Sequence, residues 1–260
     1  MTLWEAVILG VVQGATEFLP VSSSGHLVMA ETVLHIQDSG VVFEVAVHVA
    51  TLVSILLVYR TRVWDLIRGV LTGDARSLRY AGFIVLATIP AGLVGVLWKD
   101  VIEGLFETPW APGVALLVTG TFLWTSRRAM ADATGTVPTW GAALLIGVAQ
   151  AFALVPGISR SGATVVAALW LGIEAREAAA FSFLMAVPAI AGAAVLQIPE
   201  LSSVSGPGWS VLLFGGITAG VVGVLAIRTF VAMLAKRSFY LFAPYCWAVG
   251  TVFLIYLGLR

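Results

Sequence analysis

The sequence predicts an all-α polytopic membrane protein, in which two halves form an inverted repeat of six spanning helices and two re-entrant helical hairpins. Three observations lead to this fold class. Of 260 residues, 60% are hydrophobic and 11% charged, whereas a soluble domain is about 45–50% apolar and about 25% charged. Six apolar stretches are long enough to cross a bilayer. Two pairs of shorter apolar stretches are each joined by a polar motif containing proline and glycine, at matching positions of the two halves.

Composition also excludes several classes of protein. The formal net charge is zero, so no global field attracts nucleic acid. Cys246 is the only cysteine, which excludes an intrachain disulfide and a cysteine metal cluster. The N-terminus carries Glu5 where a cleaved signal peptide has basic residues, so we expect it to stay in the mature protein. We therefore expect one integral membrane domain over 1–260, which contacts membrane lipid and does not bind nucleic acid.

The helical elements follow from the length of each apolar stretch. We expect spanning helices near 43–60, 80–98, 111–126, 178–198, 210–234 and 241–259. The hairpins are predicted at 3–19 with 24–36, and at 140–155 with 162–174. Non-helical backbone at membrane depth is tolerated only where protein buries it or where it lines a wet cavity. This rule favours re-entrant hairpins over the alternative of ten ordinary spanning helices.

The two polar motifs indicate an internal duplication. They read QGATEFLPVSSSGH from Gln13 to His26 and QAFALVPGISRSGAT from Gln150 to Thr164. A constant offset of 137 positions pairs Gly10 with Gly147, Gln13 with Gln150, Ser22 with Ser159, Ser24 with Ser161 and Gly25 with Gly162. A second echo pairs AGLVGVL at 91–97 with AGVVGVL at 219–225. The predicted repeat halves are approximately 1–130 and 138–260. Each half has an odd number of crossings, so the second must be inverted relative to the first.

Basic residues predict the sidedness of the chain. They concentrate in connections of one parity: Arg62, Arg68, Arg76, Arg79, Arg127, Arg128, Arg176, Lys236 and Arg237. The opposite side holds Lys99 and Arg260. By the positive-inside rule the first set is cytoplasmic, which places both termini outside. The first hairpin then dips in from outside and the second from the cytoplasm, so their tips can meet and form one site.

Glu17 is the first candidate for chemistry. It lies four residues after Gln13, so both side chains share one helix face before the turn at Pro20. A carboxylate at membrane depth is costly without a partner, so a cation, a metal ion or a donor should lie beside it. The alternative is a glutamate that caps a neighbouring helix or reaches the surface.

Ser22, Ser23 and Ser24 precede the second helix of this hairpin. Their hydroxyls and the free N–H groups of the helix N-terminus make an anion site, although a simple N-cap is the ordinary role of such serines. His26 is three residues after Ser23, so the two could share a face as base and nucleophile. A structural histidine is the alternative.

Arg160 is the basic residue of the second hairpin, between Ser159 and Ser161 and shortly before Thr164. Its planar fork suits bidentate phosphate binding, while the alternative is an internal ion pair with Glu17; both could hold. Glu44 and His48 share a helix face in the next predicted span. They could join the site as supporting residues or a metal ligand, or form a buried hydrogen-bonded pair of their own.

At this level of detail the chain resembles a known family. GVVQGATEFLPVSSSGH and VPGISRSGAT are similar to the two signature motifs of the bacterial undecaprenyl-diphosphate phosphatases, the bacitracin-resistance membrane protein family. The stretches FEVAVH and AAFSF also fit, so the resemblance covers nearly the whole chain. Gln13 occupies a place where some members have glutamate, which removes one carboxylate.

The resemblance implies a function and a set of residues. The function is removal of the terminal phosphate of undecaprenyl diphosphate, which recycles the lipid carrier of cell-wall synthesis and confers bacitracin resistance. It implies a divalent cation, Mg²⁺ or Ca²⁺, and a site opening to the outer face of the bacterial inner membrane. We expect a catalytic set of Glu17, Ser23, His26 and Arg160. The expected substrate-binding residues are Gln13, Ser22, Ser24, Ser159, Ser161 and Thr164, and Glu17 is the candidate metal ligand.

Our hypothesis is that Ser23 attacks the terminal phosphorus, assisted by His26 and Glu17, while Arg160 with Ser159 and Thr164 holds the phosphoryl oxygens. Water then cleaves the phosphoserine. Attack by water activated by His26, or by His26 itself, stays open at this point, as does a homodimer. A secondary transporter or lipid flippase is the rival function, because inverted repeats with broken helices are typical of such folds. The polyprenyl tail is expected in lipid between spans.

Overall fold

A computed structural model of the chain describes residues 1–34, 36, 40–201 and 207–259, and Arg260 lies outside them. The first half contains α1 (Leu3–Phe18), α2 (Ser23–Leu34), α3 (Gly40–Val58), α4 (Arg60–Leu71), α5 (Ala75–Leu97), α6 (Lys99–Glu107) and α7 (Ala111–Asp132). The second contains α8 (Trp140–Phe152), α9 (Arg160–Trp170), α10 (Ala175–Leu201), α11 (Trp209–Ala235), a short 3₁₀ turn (Phe239–Leu241) and α12 (Phe242–Gly258). No β-strand occurs in these described ranges.

The helices confirm the predicted all-α membrane fold. Five are long and apolar enough to cross a bilayer: α3, α5, α10, α11 and α12 with the turn before it. α7 qualifies together with α6, from which it is bent by 102°. All six predicted spans are therefore helical, and the four predicted hairpin segments are the shorter helices α1, α2, α8 and α9.

Two helices were not predicted. No helix was assigned between the predicted spans 43–60 and 80–98, but α4 occupies the first half of that connection. α6 lies in the connection between the predicted spans 80–98 and 111–126, which was also assigned no helix. Both are short and amphipathic, and α4 packs Val63 and Leu66 against the core. Arg62 fastens α4 to α10 by a two-pronged ion pair with Glu177, and it also donates to the Tyr80 hydroxyl of α5 at 3.2 Å.

Local sequence ends and restarts the helices at each hairpin break. Leu19 precedes Pro20 and is extended, as a residue before proline prefers, so α1 ends at Phe18. In the second hairpin the Ser159 side chain accepts from the Gly162 N–H at 3.1 Å and caps α9. Within each hairpin the two helices pack together, α1 on α2 and α8 on α9.

The first helix of each hairpin packs closely on a long span of the other half. A Cβ atom at Gly10 of α1 would lie 2.6 Å from the Gly215 carbonyl of α11, and one at Gly147 of α8 would lie 2.5 Å from the Ala87 carbonyl of α5. Real Cβ contacts are never that short, so both crossings require glycine.

A chain of phenylalanine rings anchors the end of α1. Phe18 meets Phe183 of α10 edge-on at 5.6 Å, Phe183 meets Phe230 of α11 at 5.0 Å, and Phe230 meets Phe239 at 5.3 Å. All four side chains are buried. Edge-to-face packing of this kind restricts ring position. Because Phe18 follows Glu17 directly, this cluster also fixes where the neighbouring carboxylate lies.

Candidate active site

The breaks of the two hairpins lie against each other, and Ser22 joins them. Its backbone adopts φ +68, a conformation rare for a residue with a side chain. Its hydroxyl oxygen accepts from the N–H of Gly157 in the other hairpin at 3.1 Å and from Gly25 N–H at 3.3 Å. Ser161 makes a second link by donating to the Leu19 carbonyl at 3.3 Å. The polar residues of both motifs are thereby gathered in one place.

The second break is also fixed to α7. Gly157 has φ +98, and a Cβ there would lie 2.4 Å from the Pro112 carbonyl. The Thr119 hydroxyl donates to the Gly157 carbonyl at 2.7 Å and accepts from Ser159 N–H at 3.2 Å. These two hydrogen bonds satisfy both backbone groups without water, as buried backbone requires. The start of α9 therefore has a defined position.

Glu17 is the centre of the site. Its carboxylate Oε1 accepts from Arg160 Nη2 at 2.8 Å, across the two hairpins. Its Oε2 accepts from Gln13 Nε2 at 3.1 Å and from the Ser23 hydroxyl at 2.5 Å. Glu17 is buried at 7% exposure, so these donors replace water as its solvation. Gln13 and Glu17 thus share a helix face, as their spacing predicted, and the internal ion pair of Glu17 with Arg160, which was the alternative role for Arg160, is present.

Arg160 has a buried donor nitrogen, Nη1, that takes no part in its ion pair with Glu17. Its Nη2 bonds Glu17, while Nη1 is inaccessible to solvent and has no hydrogen-bond partner among the described residues. Leaving a charged donor buried and unsatisfied costs free energy. An anion such as a phosphoryl oxygen would satisfy this group.

His26 bonds to other partners than the sequence suggested. Its Nδ1 lies 2.9 Å from the Ser22 carbonyl, and its Nε2 lies 2.9 Å from the hydroxyl of Tyr245 in α12. The expected His26–Ser23 contact is not among the hydrogen bonds of the described residues. The reason is local: α2 begins at Ser23, so the ring of His26 returns to the carbonyl one turn earlier, while the Ser23 hydroxyl turns to Glu17.

The remaining predicted substrate-binding residues make internal contacts. Ser24 and Ser22 have their hydroxyls 3.3 Å apart, and those of Ser159 and Ser161 are 3.2 Å apart. The Thr164 hydroxyl donates to the Arg160 carbonyl at 2.7 Å and pairs with Ser182 of α10 at 2.7 Å. These residues therefore lie at the site, and their hydroxyls hold its two helix starts together.

His48 approaches the site from α3. Its Nε2 lies 3.9 Å from Glu17 Oε2, and its Nδ1 lies 2.8 Å from the Glu44 carbonyl. The hydrogen bond of His48 to position 44 is thus to the main chain, and the ring itself faces the central carboxylate. His48 therefore lies beside Glu17, as a supporting role at the site requires.

Three site residues escaped the sequence analysis: Thr119, Ser182 and Tyr245. Thr119 and Ser182 are small hydroxyl residues within apolar spans, where such side chains usually bond their own helix. Ser182 had one signal, because it lies inside the AAFSF stretch that fits the family. Tyr245 is an aromatic residue near a predicted span end, where aromatic residues are common in any membrane protein.

The donor atoms fit a divalent cation that is shared with a phosphate ligand. Mg²⁺ and Ca²⁺ prefer oxygen ligands, and Mg²⁺ is often held by one or two carboxylates together with substrate phosphates. Glu17 supplies a carboxylate, and Gln13 Oε1 is a buried oxygen without a hydrogen-bond partner among the described residues. In the described part of the chain no three His, Cys, Asp or Glu residues gather as a metal cage. A resident cation held by protein alone does not fit this donor set.

Comparison with known proteins agrees with the motifs. The family profile described as "Bacitracin resistance protein BacA" matches residues 6–252. The chain is 40% identical to the undecaprenyl-diphosphatase of Desulforapulum autotrophicum, with 98% of each chain covered. It is 38% identical to that of Desulfatibacillum aliphaticivorans, with 96% of this chain and 97% of the relative covered. It is 37% identical to that of Methanobrevibacter smithii, over 97% and 96%. This chain is a member of the bacitracin resistance protein BacA family.

Proposed function

We propose that this membrane protein hydrolyses undecaprenyl diphosphate to undecaprenyl phosphate and inorganic phosphate, and so returns the lipid carrier to cell-wall synthesis. The relatives that match the chain over nearly its full length are named for this activity. The observation that supports the proposal most directly is the pairing at Glu17, where a serine hydroxyl and a guanidinium with a free buried Nη1 meet on one carboxylate.

In the first step Ser23 is the nucleophile and Glu17 its base. The Ser23 oxygen attacks the terminal phosphorus, its proton moves to Glu17 Oε2, and undecaprenyl phosphate leaves with the electrons of the broken P–O bond. Protonation weakens the hold of Glu17 on Arg160. The guanidinium then neutralises charge on the transferred phosphoryl group, which is the main demand of phosphoryl transfer.

In the second step water hydrolyses the phosphoserine. Water attacks the phosphorus and gives a proton to His26, while the Ser23 oxygen leaves and recovers its proton from Glu17. Inorganic phosphate departs, and His26 returns the extra proton to solvent. His26 is assigned to this step because its hydrogen bonds lead away from Ser23 and toward the partly exposed Tyr245. General bases of this kind contribute about 10²–10⁴-fold to rate.

Glu17 and Gln13 supply the oxygen atoms that would hold a divalent cation against the diphosphate. When bound, the cation neutralises part of the phosphate charge and orients the head group. The protein residues would then bind the remaining charge, with Arg160 facing the terminal phosphoryl group.

The polyprenyl tail needs an apolar surface beside the site. A groove of about 570 Å³ runs between the N-terminal half of α7 and the second hairpin, and its walls include Ala115, Phe122, Phe152 and Ile158. Ile158 precedes Ser159 at the start of α9, so the groove begins near the proposed head-group site. We expect the tail to lie between spans in contact with this surface and with membrane lipid.

We also propose the predicted arrangement in the membrane: halves 1–130 and 138–260 as an inverted repeat, re-entrant hairpins, and both termini and the opening on the outer side. Two observations support the repeat. Gly10 and Gly147, which the 137-residue offset pairs, each pack on a carbonyl of a span from the other half. Those carbonyls belong to Gly215 and Ala87, each of which lies four residues before its copy of the second echo. Cysteine labelling of single sites in sealed membranes tests the sidedness.

Purified protein in detergent decides between hydrolase and carrier, because no transport is possible there. We expect release of inorganic phosphate from undecaprenyl diphosphate, with one phosphate per lipid. A carrier binds the lipid without cleaving it. The Ser23–Glu17 hydrogen bond favours the hydrolase, since a carrier has no use for a nucleophile beside a base. Absence of phosphate release from well-folded protein, with and without added Mg²⁺ or Ca²⁺, would reject the proposed function.

A further inference from the structure

The hydrogen bonds of His26 determine which ring nitrogen carries the proton. Nδ1 lies 2.9 Å from the Ser22 carbonyl oxygen, and a carbonyl can only accept, so the proton is on Nδ1. A neutral imidazole with Nδ1–H has its lone pair on Nε2. The Tyr245 hydroxyl, 2.9 Å from Nε2, must therefore be the donor in that hydrogen bond.

The acceptor on the Nδ1 side is held firmly. The Ser22 carbonyl also accepts from the His26 backbone N–H at 3.2 Å, and the Ser22 side chain is tied to Gly25 and to Gly157 of the second hairpin. Packing of the two hairpins thus fixes an acceptor that favours the proton on Nδ1, and the donor at Nε2 adds to that preference.

The donor on the Nε2 side comes from α12. The rings of His26 and Tyr245 are nearly parallel, at 7° and 5.8 Å between centroids. The next residue, Cys246, is buried and directs its thiol to the Pro20 carbonyl at 3.7 Å, so two adjacent residues of α12 contact the first hairpin. Tyr245 is 44% exposed, so its side chain is only partly enclosed by the protein. No acidic or basic side chain bonds to His26 among the described residues.

We propose that Tyr245 is a positioning residue that keeps His26 in the Nδ1–H tautomer, with the Nε2 lone pair directed at the phenol hydroxyl. This inference rests on the proposed hydrolysis for its kinetic part only. Water that displaces the phenol meets Nε2 ready to accept a proton, as the second step requires. The same phenol returns when phosphate has left, and it keeps the ring from turning over between cycles.

Tyr245→Phe removes the hydroxyl and keeps the stacked ring, so it separates the two contributions. The Ser22 carbonyl still favours Nδ1–H in this variant, so we expect only part of the base's effect to be lost. That loss is roughly tenfold in kcat, below the 10²–10⁴ of a whole general base. KM should change by less than about twofold, because the phosphate clamp is elsewhere. Tyr240→Phe is the matched control, since Tyr240 contacts Trp124 and Arg127 and not the site.

The test combines kinetics with nitrogen-15 NMR of histidine-labelled protein in detergent. The chain has three histidines, and His26→Asn identifies the His26 signals. We expect an unprotonated Nε2 in the wild type and a mixture of tautomers in Tyr245→Phe, with Tyr240→Phe unchanged. A protonated Nε2 in wild-type His26, or an unaltered tautomer and kcat in Tyr245→Phe, would overturn the inference. Lack of hydrolysis by the wild type would instead reject the proposed function, and the tautomer result would stand independently.

Discussion

Arg160 and Glu17 are 143 positions apart in the chain, and their side chains form an ion pair of 2.8 Å between the breaks of two different hairpins. A buried ion pair gives little net stability, because desolvation of both charges offsets their attraction. Hydrophobic residues of the same volume would serve packing as well. The pair is better explained by the ligand: the same guanidinium retains a buried, unpartnered Nη1 for a phosphoryl oxygen.

Arg160→Lys should lose nearly as much activity as Arg160→Ala. A lysine ammonium can neutralise Glu17, but it lacks the planar fork that would bind the carboxylate and a phosphoryl oxygen together. Removal of one transition-state donor typically lowers kcat by about 10²–10³. Phosphate release from undecaprenyl diphosphate measures the effect. Arg79→Ala, at an exposed position on α5, is the control and should leave turnover unchanged. Hydrolysis by Arg160→Ala within a factor of five of wild type would remove the clamp from the mechanism.

The same ion pair predicts a stability pattern. Glu17→Gln and Arg160→Met should each destabilise the protein by about 3–5 kcal/mol, because either leaves a buried charge without its partner. The double variant should be less destabilised than the sum, since it leaves neither charge. Unfolding in detergent measures the four corners of this cycle. Lys99 and Glu103 form an exposed pair at 3.4 Å, and the same cycle there should give at most about 1 kcal/mol. Equal coupling in both cycles would contradict burial as the cause.

Ser23→Ala tests the nucleophile. The Ser23 hydroxyl donates to Glu17 at 2.5 Å, so its loss removes the attacking oxygen and leaves the carboxylate with its other donors. We expect turnover to fall by at least about 10³. Mass spectrometry of rapidly quenched wild-type protein should find phosphate on Ser23. Ser210→Ala, at an exposed position near the start of α11, is the control and should leave turnover unchanged. A residual rate near wild type would favour direct attack by water or by His26.

The cation requirement should depend on Gln13. Chelation should abolish hydrolysis, and Mg²⁺ or Ca²⁺ should restore it. One carboxylate and one amide oxygen would hold the metal ion, and the metal ion would neutralise charge on the diphosphate. Gln13→Leu removes the free Oε1 and should raise the cation concentration for half-maximal rate about tenfold. Gln13→Glu supplies a second carboxylate and should lower it. Gln150→Leu is the repeat-related control, since Gln150 is buried beside Ala87 and has no contact to Glu17. Full activity in chelator would rule out the shared cation.

The sequence was sufficient to predict which residues gather, and less informative about how they pair. Polar side chains cost free energy in so apolar a chain, and this cost identified Glu17, Ser23, His26 and Arg160 as candidates. The partner of Ser23 was not predictable: helical spacing pointed to His26, whereas the helix start at Ser23 directs its hydroxyl to Glu17. Tyr245 comes from a distant helix, and nothing in its own segment marks it. The amphipathic helix α4 was missed because its basic residues were used for sidedness alone.

The last prediction concerns the close helix crossings that hold each hairpin. Gly147→Ala places a Cβ 2.5 Å from the Ala87 carbonyl, so α8 and α5 must move apart, and we expect a loss of about 1–3 kcal/mol. Gly10→Ala meets the Gly215 carbonyl at 2.6 Å and should cost about the same. Gly92→Ala, also on α5, meets nothing within 4 Å and should be neutral or stabilising by up to about 1 kcal/mol. Thermal unfolding in detergent compares the three variants.

Because α1 and α8 carry the two breaks, the first two variants should also lower turnover, while Gly92→Ala should not. If Gly147→Ala were as stable as Gly92→Ala, the crossing would not be what positions the second hairpin, and a strong difference between Gly10→Ala and Gly147→Ala would weigh against a repeated architecture.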